Sequence, residues 1–324
     1  MKIYVTRRIP EEALKLLANH KVEVYEDSTP IPRKELLEKV ADAEALIPLL
    51  SDRIDAELMD AAPHLKVIAN YAVGYDNVDI VAATKRGIVV TNTPDVLTDA
   101  TAELAWVLLF AAARRIGEAE RFTRAGRFTG WGPQLMLGQG IRGKTLGVVG
   151  TGRIGTRFAL GSRGFEMKVF YYDQERNETL EQELGAKKVD ISYLMHEADF
   201  VSIHLPLTQE TKHLIDAHQL ARMKPTAVLV NTARGPIVDE AALVAALRAG
   251  KLAAAGLDVY EREPEISKEL MGIQNVVLAP HIGSATHEAR GAMAELCAYA
   301  VLKVFEGEIP PNIVNRDAWL KRRT

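Results

Sequence analysis

Three side chains suited to acid–base chemistry follow separate apolar runs in the second half of the chain: Arg234, Glu263 and His281. An arginine fork pairs with a carboxylate at any working pH, and a histidine exchanges its proton near neutrality. A carboxylate beside the histidine favours the imidazolium and orients the ring. Together these groups suit the reduction of a 2-keto acid, in which a carboxylate is held and a developing alkoxide is protonated.

Each of these residues also has a purely structural interpretation. Arg234 fits a surface cation after a strand, Glu263 fits one of several acids in a charged loop, and His281 fits a histidine beside a proline turn. For His281 alone the two interpretations are equally favoured. The remaining histidines show no zinc-site spacing such as HExxH, so the sequence predicts no metal. Cys297 has apolar neighbours and is predicted to be a core residue rather than a nucleophile.

A glycine-rich turn lies where a predicted strand is followed by a predicted helix. Gly150, Gly152 and Gly155 follow the apolar run 145–149, with the spacing that binds a dinucleotide pyrophosphate at a helix N-terminus. Such turns are common, so the motif alone is weak. Asp173 strengthens it, because it ends the next predicted strand 18 residues after Gly155. An acid there binds the adenosine ribose and repels a 2′-phosphate, which favours NAD(H) over NADP(H).

Two series of strands and helices must position these residues. Apolar, β-branched runs predict a first series of strands at 2–6, 21–25, 45–49, 66–71 and 87–91, with amphipathic helices at 10–19 and 33–41 between them. A second series begins after Gly143, with predicted strands at 145–149, 168–172, 199–204, 227–231, 254–258 and 275–279. This alternation predicts an α/β protein with two doubly wound, Rossmann-like parallel sheets covered by helices.

Two further stretches are predicted to be helical. The residues 101–115 are apolar on nearly every side, so we expect them to be buried against a domain junction or a partner subunit. A long helix is predicted at about 287–305, before the Pro310–Pro311 pair.

Composition excludes several other classes of protein. The 324 residues carry a formal net charge of −3, with 48% hydrophobic and 26% charged residues, which is typical of a globular chain of two domains. Nothing in this balance favours nucleic acid or an anionic membrane as a partner. The N-terminus reaches Arg7 and Arg8 without the apolar stretch of a secretion signal. Because Cys297 is the single cysteine, we expect a reducing compartment, the cytoplasm.

These segments together resemble the D-isomer-specific 2-hydroxyacid dehydrogenase family. The resemblance extends from residue 3 to about 315, and it rests on 70–79, 150–155, 204–208, 231–235, 258–264 and 280–284 occurring in this order. It implies a cofactor domain, 99–284, inserted into a flavodoxin-like substrate domain, 1–98 and 285–324. It also implies a dimerisation arm at about 101–140, and therefore a homodimer.

The resemblance assigns roles residue by residue. It implies that Arg234, Glu263 and His281 are catalytic, that the Val73 and Gly74 amides bind the substrate carboxylate, and that Leu50 lines the pocket. Trp131 would reach the neighbouring subunit's site. It also places Asp258 near the nicotinamide carboxamide. The full set of cofactor contacts that it implies is Thr101, Gly150, Gly152, Arg153, Ile154, Gly155, Asp173, Leu205, Pro206, Thr211, Thr232, Ala233, Asp258, His281 and Gly283.

Within the family the chain is most similar to glyoxylate and hydroxypyruvate reductases. The linker 130–145 carries this similarity. Two positions depart from the pattern. Asp173–Gln174 stands where NADPH-preferring reductases have a Ser/Arg-type pair, and Leu205 stands where many relatives have Cys. The first departure argues against carrying NADPH over to this chain, and the second is expected to be neutral.

Three functions follow from this sequence. The first is NADH-dependent reduction of glyoxylate or hydroxypyruvate, with His281 as proton donor. The second is a nicotinamide-sensing binding protein, like the transcriptional corepressors that share the fold. The third is a D-lactate or phosphite dehydrogenase on the same scaffold. Turnover of a keto acid separates the first from the second, and the choice of substrate separates the first from the third.

Overall fold

Buried parallel strands recur along the chain and are separated by helices. The computed structural model describes residues 1–323. The chain divides into a first unit, Met1–Leu97 together with the segment from Ser284 onward, and a second unit, Thr98–Gly283. The predicted α/β class with two parallel sheets is confirmed. Each unit carries one of these sheets.

The sheet of the first unit has five parallel strands within the described residues, in the order β2-β1-β3-β4-β5. This order is the flavodoxin-like one, with its topological switch point between the first and third strands. Side chains on β3, β4 and β5 are buried on both faces, as expected for a parallel sheet covered by helices. The strands are β1 Lys2–Val5, β2 Lys21–Val24, β3 Ala45–Ile47, β4 Val67–Ala69 and β5 Val89–Thr91.

Helices cover both faces of this sheet. Two of them begin at aspartates, Asp55 and Asp79, whose side chains accept a backbone N–H of the first turn. The long helix begins after Thr286, which caps it in the same way, and spans the predicted residues. The helices are α1 Glu11–Leu16, α2 Arg33–Lys39, α3 Ala56–Ala61, α4 Ile80–Lys85, α13 His287–Phe305 and α14 Arg316–Trp319.

The second unit carries a parallel sheet of seven strands within residues 98–283, in the order β12-β11-β10-β9-β6-β7-β8. The six predicted strands are present, and the seventh is a short edge strand of two lysines that the apolar pattern did not indicate. The strands are β6 Thr145–Val149, β7 Lys168–Tyr172, β8 Lys187–Lys188, β9 Phe200–Ile203, β10 Val228–Asn231, β11 Ala254–Leu257 and β12 Val276–Leu278.

The apolar helix Thr98–Ala113, which the sequence predicted to be buried against a domain junction or a partner subunit, packs on this second sheet. Its buried face includes Ala105, Leu108 and Leu109, which join the core formed by the central strands. Gly256 permits the close approach, because a Cβ there would lie 2.9 Å from the Leu108 Cβ. The helices of the unit are α5 Thr98–Ala113, α6 Ile116–Arg124, α7 Arg153–Gly161, α8 Glu178–Leu184, α9 Ile191–Glu197, α10 Ala217–Leu220, α11 Glu240–Arg248 and α12 Lys268–Met271.

Helix length and polarity bear on membrane insertion. None of the helices within residues 1–323 combines the length with the apolarity that crossing a bilayer requires.

Candidate active site

The glycine turn joins β6 to α7 with very little space around its backbone. Gly150 has φ +93°, and a Cβ there would lie 2.8 Å from the Leu205 backbone nitrogen. A Cβ on Gly155 would lie 2.0 Å from the Gly150 carbonyl oxygen, so only glycine lets the helix pack against the turn. Gly152 precedes α7 with no side-chain cap, and a Cβ there would meet open space. The helix N-terminus is therefore open toward a phosphate group.

Asp173 lies against this turn. It follows β7, and its Oδ2 accepts hydrogen bonds from the Thr151 backbone N–H at 2.6 Å and the Thr151 hydroxyl at 3.0 Å. Its Oδ1 accepts the Gln174 N–H at 2.7 Å. The carboxylate is thus fixed beside the turn, where the carboxyl end of the second strand of a doubly wound sheet meets an adenosine ribose.

Other residues predicted to contact a cofactor also lie at the carboxyl edge of the second sheet. Leu205 and Pro206 follow β9, and the Thr211 hydroxyl donates to the Pro206 carbonyl at 2.7 Å. The Thr232 hydroxyl follows β10 and is buried with no hydrogen-bond partner within residues 1–323. A buried unpaired hydroxyl at this edge fits a bound ligand that completes its hydrogen bonding. Together with the open glycine turn, it shows that the unit fits a dinucleotide.

His281 and Glu263 form a hydrogen-bonded pair. The His281 Nδ1 lies 2.7 Å from the Glu263 Oε2, and the two side chains are 24% and 29% exposed. The other oxygen of Glu263 accepts the Tyr260 N–H at 2.9 Å. Burial opposes ionisation of Glu263 most strongly, but hydrogen bonds from His281 and Tyr260 and the charges of His281 and Arg234 outweigh it. The pKa of Glu263 therefore lies below its usual value.

Arg234 stands close enough to Glu263 for its charge to contribute to that low pKa. Its backbone is held where β10 ends, because the Asn231 side-chain amide donates to the Arg234 carbonyl at 2.9 Å. The guanidinium donates to the neighbouring Ala233 carbonyl at 2.8 Å. The structure thus brings the cation, the carboxylate and the imidazole together at one edge of the second sheet.

Gly235 was missed by the sequence reasoning, although it explains how Arg234 is placed. A Cβ at Gly235 would lie 1.9 Å from the Tyr260 carbonyl, so the 234–235 turn packs directly on the backbone that leads to Glu263. The Tyr260 hydroxyl in turn donates to the Ala279 carbonyl at 2.8 Å, just before the turn that carries His281. Burial of that hydroxyl raises the pKa of Tyr260 to about 12, so it stays a donor. The sequence signal for this close packing was the glycine that directly follows Arg234.

Asp258 holds the turn that carries His281 in place by hydrogen bonds. It is fully buried, and its two carboxylate oxygens accept the Ile282 and Gly283 N–H groups at 2.7 and 2.8 Å. Its backbone carbonyl accepts the His281 N–H at 2.9 Å. His281 itself has φ +55°, a conformation that a side chain rarely adopts without such support. This anchoring contact was not predicted, and the predicted contact with the carboxamide stays a prediction.

The other predicted site residues lie elsewhere. Leu50, Val73 and Gly74 belong to the first unit. Trp131 lies in the segment after α6 and is 86% exposed. A Cβ on Gly283 would lie 3.4 Å from the Thr101 side chain, so the start of α5 reaches the turn after His281. Within the described residues, groups of His, Cys, Asp or Glu do not assemble into a metal site.

Comparison with known proteins identifies the family. The family model for the D-isomer specific 2-hydroxyacid dehydrogenase, NAD binding domain, matches residues 106–283 of this sequence. A glyoxylate reductase from Thermococcus litoralis is 54% identical over 321 residues, covering 98% of this chain and 97% of the relative.

Solved structures agree with that comparison. A protein from Thermus thermophilus superposes with a TM-score of 0.92 at 46% identity, covering 97% of this chain and 100% of the other. A second solved structure is that of an NADPH-dependent glyoxylate/hydroxypyruvate reductase from Sinorhizobium meliloti in complex with NADP and malonate. It superposes with a TM-score of 0.86 at 33% identity, covering 100% of this chain and 98% of the other. The chain is therefore a member of the D-isomer specific 2-hydroxyacid dehydrogenase family, and it is an oxidoreductase that acts on 2-hydroxy acids.

Proposed function

We propose that the protein reduces glyoxylate or hydroxypyruvate to glycolate or glycerate with NADH. The observation that carries this proposal is the His281–Glu263 hydrogen bond of 2.7 Å beside Arg234, at the sheet edge where the glycine turn fits a dinucleotide. The 54% identity to a glyoxylate reductase supports the choice of substrate. Consumption of one proton per keto acid requires an acid at the site, and His281 supplies it.

The residues of the chain act on the keto acid in distinct ways. A bound nicotinamide supplies the hydride for the carbonyl carbon. Glu263 accepts from Nδ1 of His281, which leaves Nε2 to donate a proton to the carbonyl oxygen. Arg234 pairs with the substrate carboxylate and polarises the adjacent carbonyl. The Val73 and Gly74 amides also bind that carboxylate.

The preference for NADH rests on Asp173. Its carboxylate is fixed at the end of β7 by Thr151 and Gln174, and a 2′-phosphate approaching it meets a negative charge. The homologous reductase from Sinorhizobium meliloti is NADPH-dependent. We propose the opposite preference here, because Asp173 places this negative charge where a 2′-phosphate would lie.

A homodimer and a cytoplasmic location complete the proposal. Several large apolar side chains of the predicted dimerisation arm, about 101–140, are exposed to solvent. The exposed fractions of Val107, Phe128, Trp131 and Leu137 are 57%, 58%, 86% and 60%. A second copy of the chain would cover such a surface. Sedimentation equilibrium is expected to give twice the chain mass of 35.7 kDa. A monomer at micromolar concentration would contradict the dimer.

Steady-state kinetics with a panel of keto acids, each with NADH and NADPH, tests the proposal. We expect turnover of glyoxylate and hydroxypyruvate, with NADH giving the higher kcat/KM. NADH binding without turnover of any keto acid would contradict the enzyme and favour a nicotinamide-sensing protein. Higher kcat/KM for pyruvate than for either substrate would instead indicate a D-lactate dehydrogenase.

A further inference from the structure

The loop that carries Val73 and Gly74 is held by asparagine side chains. Asn70 directly follows β4, and its amide donates to the Gly74 carbonyl at 2.9 Å. Asn92 directly follows β5, and its amide donates to the Val73 carbonyl at 2.8 Å. Two successive carbonyls are therefore fixed by donors from neighbouring strand ends. Among residues 1–323 the Val73 and Gly74 N–H groups donate to no backbone acceptor, which leaves both for an anion.

A second asparagine ties this loop to the turn that carries Leu50. Asn70 and Asn77 exchange side-chain hydrogen bonds at 3.2 and 3.1 Å. The Asn77 amide also donates to the Leu49 and Asp52 carbonyls at 3.1 and 3.2 Å. Asp52 closes the same turn, because its carboxylate accepts the Leu49 N–H at 2.8 Å. The position of Leu50 is thus set by the side chain of Asn77.

We propose that Asn70 and Asn77 are positioning residues, Asn70 for the amides that bind the substrate carboxylate and Asn77 for the pocket wall at Leu50. This inference rests on the proposed function, which places the carboxylate at Val73 and Gly74, and on the prediction that Leu50 lines the pocket. An amide side chain suits both places, since it donates to a carbonyl with one end and accepts with the other. Asn70 is fully buried, so its hydrogen bonds persist without competition from water.

The two residues are expected to affect different steps of recognition. Glyoxylate and hydroxypyruvate share a carboxylate, so Asn70→Ala should raise the KM of both by about tenfold, the scale of a misplaced binding group. Asn92→Ala should raise both KM values in the same way. It serves as a second variant in case Asn70→Ala does not fold, because Asn92 is less buried than Asn70 and its loss should disturb the core less. Hydroxypyruvate alone has a side chain, so Asn77→Ala should change the ratio of the two kcat/KM values by about threefold or more.

A matched control separates positioning from general loss of stability. Asn315 is also buried in the first unit, where it accepts the Val90 N–H at 2.8 Å and donates to the Ile88 carbonyl at 2.9 Å. Its side-chain hydrogen bonds within the described residues go to Val90, Thr84 and Ile88, which belong to neither loop. Asn315→Ala should lower the thermal unfolding temperature without changing the KM of either keto acid. The KM of NADH should stay within about twofold in all four variants, because the changes lie in the first unit.

Steady-state kinetics and thermal unfolding of the wild type and the four variants test the inference. Folded Asn70→Ala and Asn92→Ala enzymes with wild-type KM values would overturn the role of Asn70. An unchanged ratio of the two kcat/KM values in Asn77→Ala would overturn the role of Asn77. If Asn315→Ala changed the KM values as much as Asn70→Ala and Asn77→Ala do, Asn70 and Asn77 would have only a structural role. A wild type that reduces neither keto acid would contradict the proposed function itself. Normal wild-type turnover with unchanged variants would contradict the positioning inference alone.

Discussion

Replacement of Glu263 by Gln tests the proton donor most directly. The carboxylate lies 2.7 Å from the His281 Nδ1 and also accepts the Tyr260 N–H. Glutamine has nearly the same shape and keeps an acceptor for Tyr260, so the loop should stay in place. What it removes is the negative charge that stabilises the protonated imidazole. Activity should therefore fall at a lower pH in the variant than in the wild type, because only the protonated ring donates to the carbonyl oxygen.

The size of this change follows from the geometry. A hydrogen bond between charged groups contributes about 1.5–3 kcal/mol net when partly shielded from water, and these side chains are 24% and 29% exposed. A tenfold change in rate corresponds to about 1.4 kcal/mol. Loss of this contribution should thus lower kcat/KM at the alkaline end of the profile by about tenfold or more relative to the wild type. Near the acidic end of the profile the variant should lose much less activity.

Glu261 offers a matched control two residues away. Its Oε1 lies 3.0 Å from the His213 Nε2, so it forms the same type of pair with another histidine. The measurement is kcat/KM for glyoxylate between about pH 5 and 9 at saturating NADH, for the wild type, Glu263→Gln and Glu261→Gln. Glu261→Gln should keep the wild-type profile. A Glu263→Gln profile with the wild-type alkaline limb would remove Glu263 from this role, and an equal shift in Glu261→Gln would show a general charge effect.

Four further predictions concern the cofactor turn and its neighbours. Asp173→Ala should raise the KM of NADH about tenfold and reduce discrimination against NADPH; an unchanged NADPH to NADH ratio in initial rates would contradict this. Gly155→Ala should lower the free energy of unfolding by about 1–3 kcal/mol, because its Cβ would lie 2.0 Å from the Gly150 carbonyl. Gly152→Ala meets open space, so it should keep the unfolding temperature and weaken NADH binding measured by titration. Burial lowers the pKa of His204 to about 3. Between about pH 6.5 and pH 3 only the unfolded chain binds this proton, so the free energy of unfolding should fall by up to about 1.4 kcal/mol for each pH unit that the pH drops through this range. Denaturation at pH 7 and pH 5 should show a smaller fall in His204→Asn.

Most of the fold was predictable because its strands are short, apolar and bounded by charge. All the predicted strands are confirmed, and so are the bounds of the helix His287–Phe305. The strand Lys187–Lys188 was missed because it is exposed and charged, and at a sheet edge backbone pairing alone defines such a strand. The partner of α5 was also missed. An apolar stretch indicates burial, but Gly256, which admits the helix onto the sheet, gives no signal in periodicity.

The candidate site was predictable to the extent that it depends on strand ends. Parallel strands end at one edge, so residues after β10, β11 and β12 had to converge. Contacts made by the backbone were not predictable. The packing of Gly235 on Tyr260 and the two N–H groups that Asp258 accepts depend on how loops cross, which sequence spacing does not specify. The asparagine pair at 70 and 77 was hidden for the same reason, although both residues lie in a segment that carries the family resemblance.

The arrangement around His281 shows why non-reacting residues matter at this site. Burial raises the pKa of Asp258 most strongly, against the opposing effects of the Ile282 and Gly283 N–H groups and the charge of His281. The protein nevertheless keeps an acid there, and its two oxygens fix the turn in which His281 has a positive φ. A proton donor works only when its nitrogen is held at the right place before the substrate arrives. The energetic cost of burying one carboxylate is thus coupled to the placement of the imidazole, while a second carboxylate, Glu263, orients the ring itself.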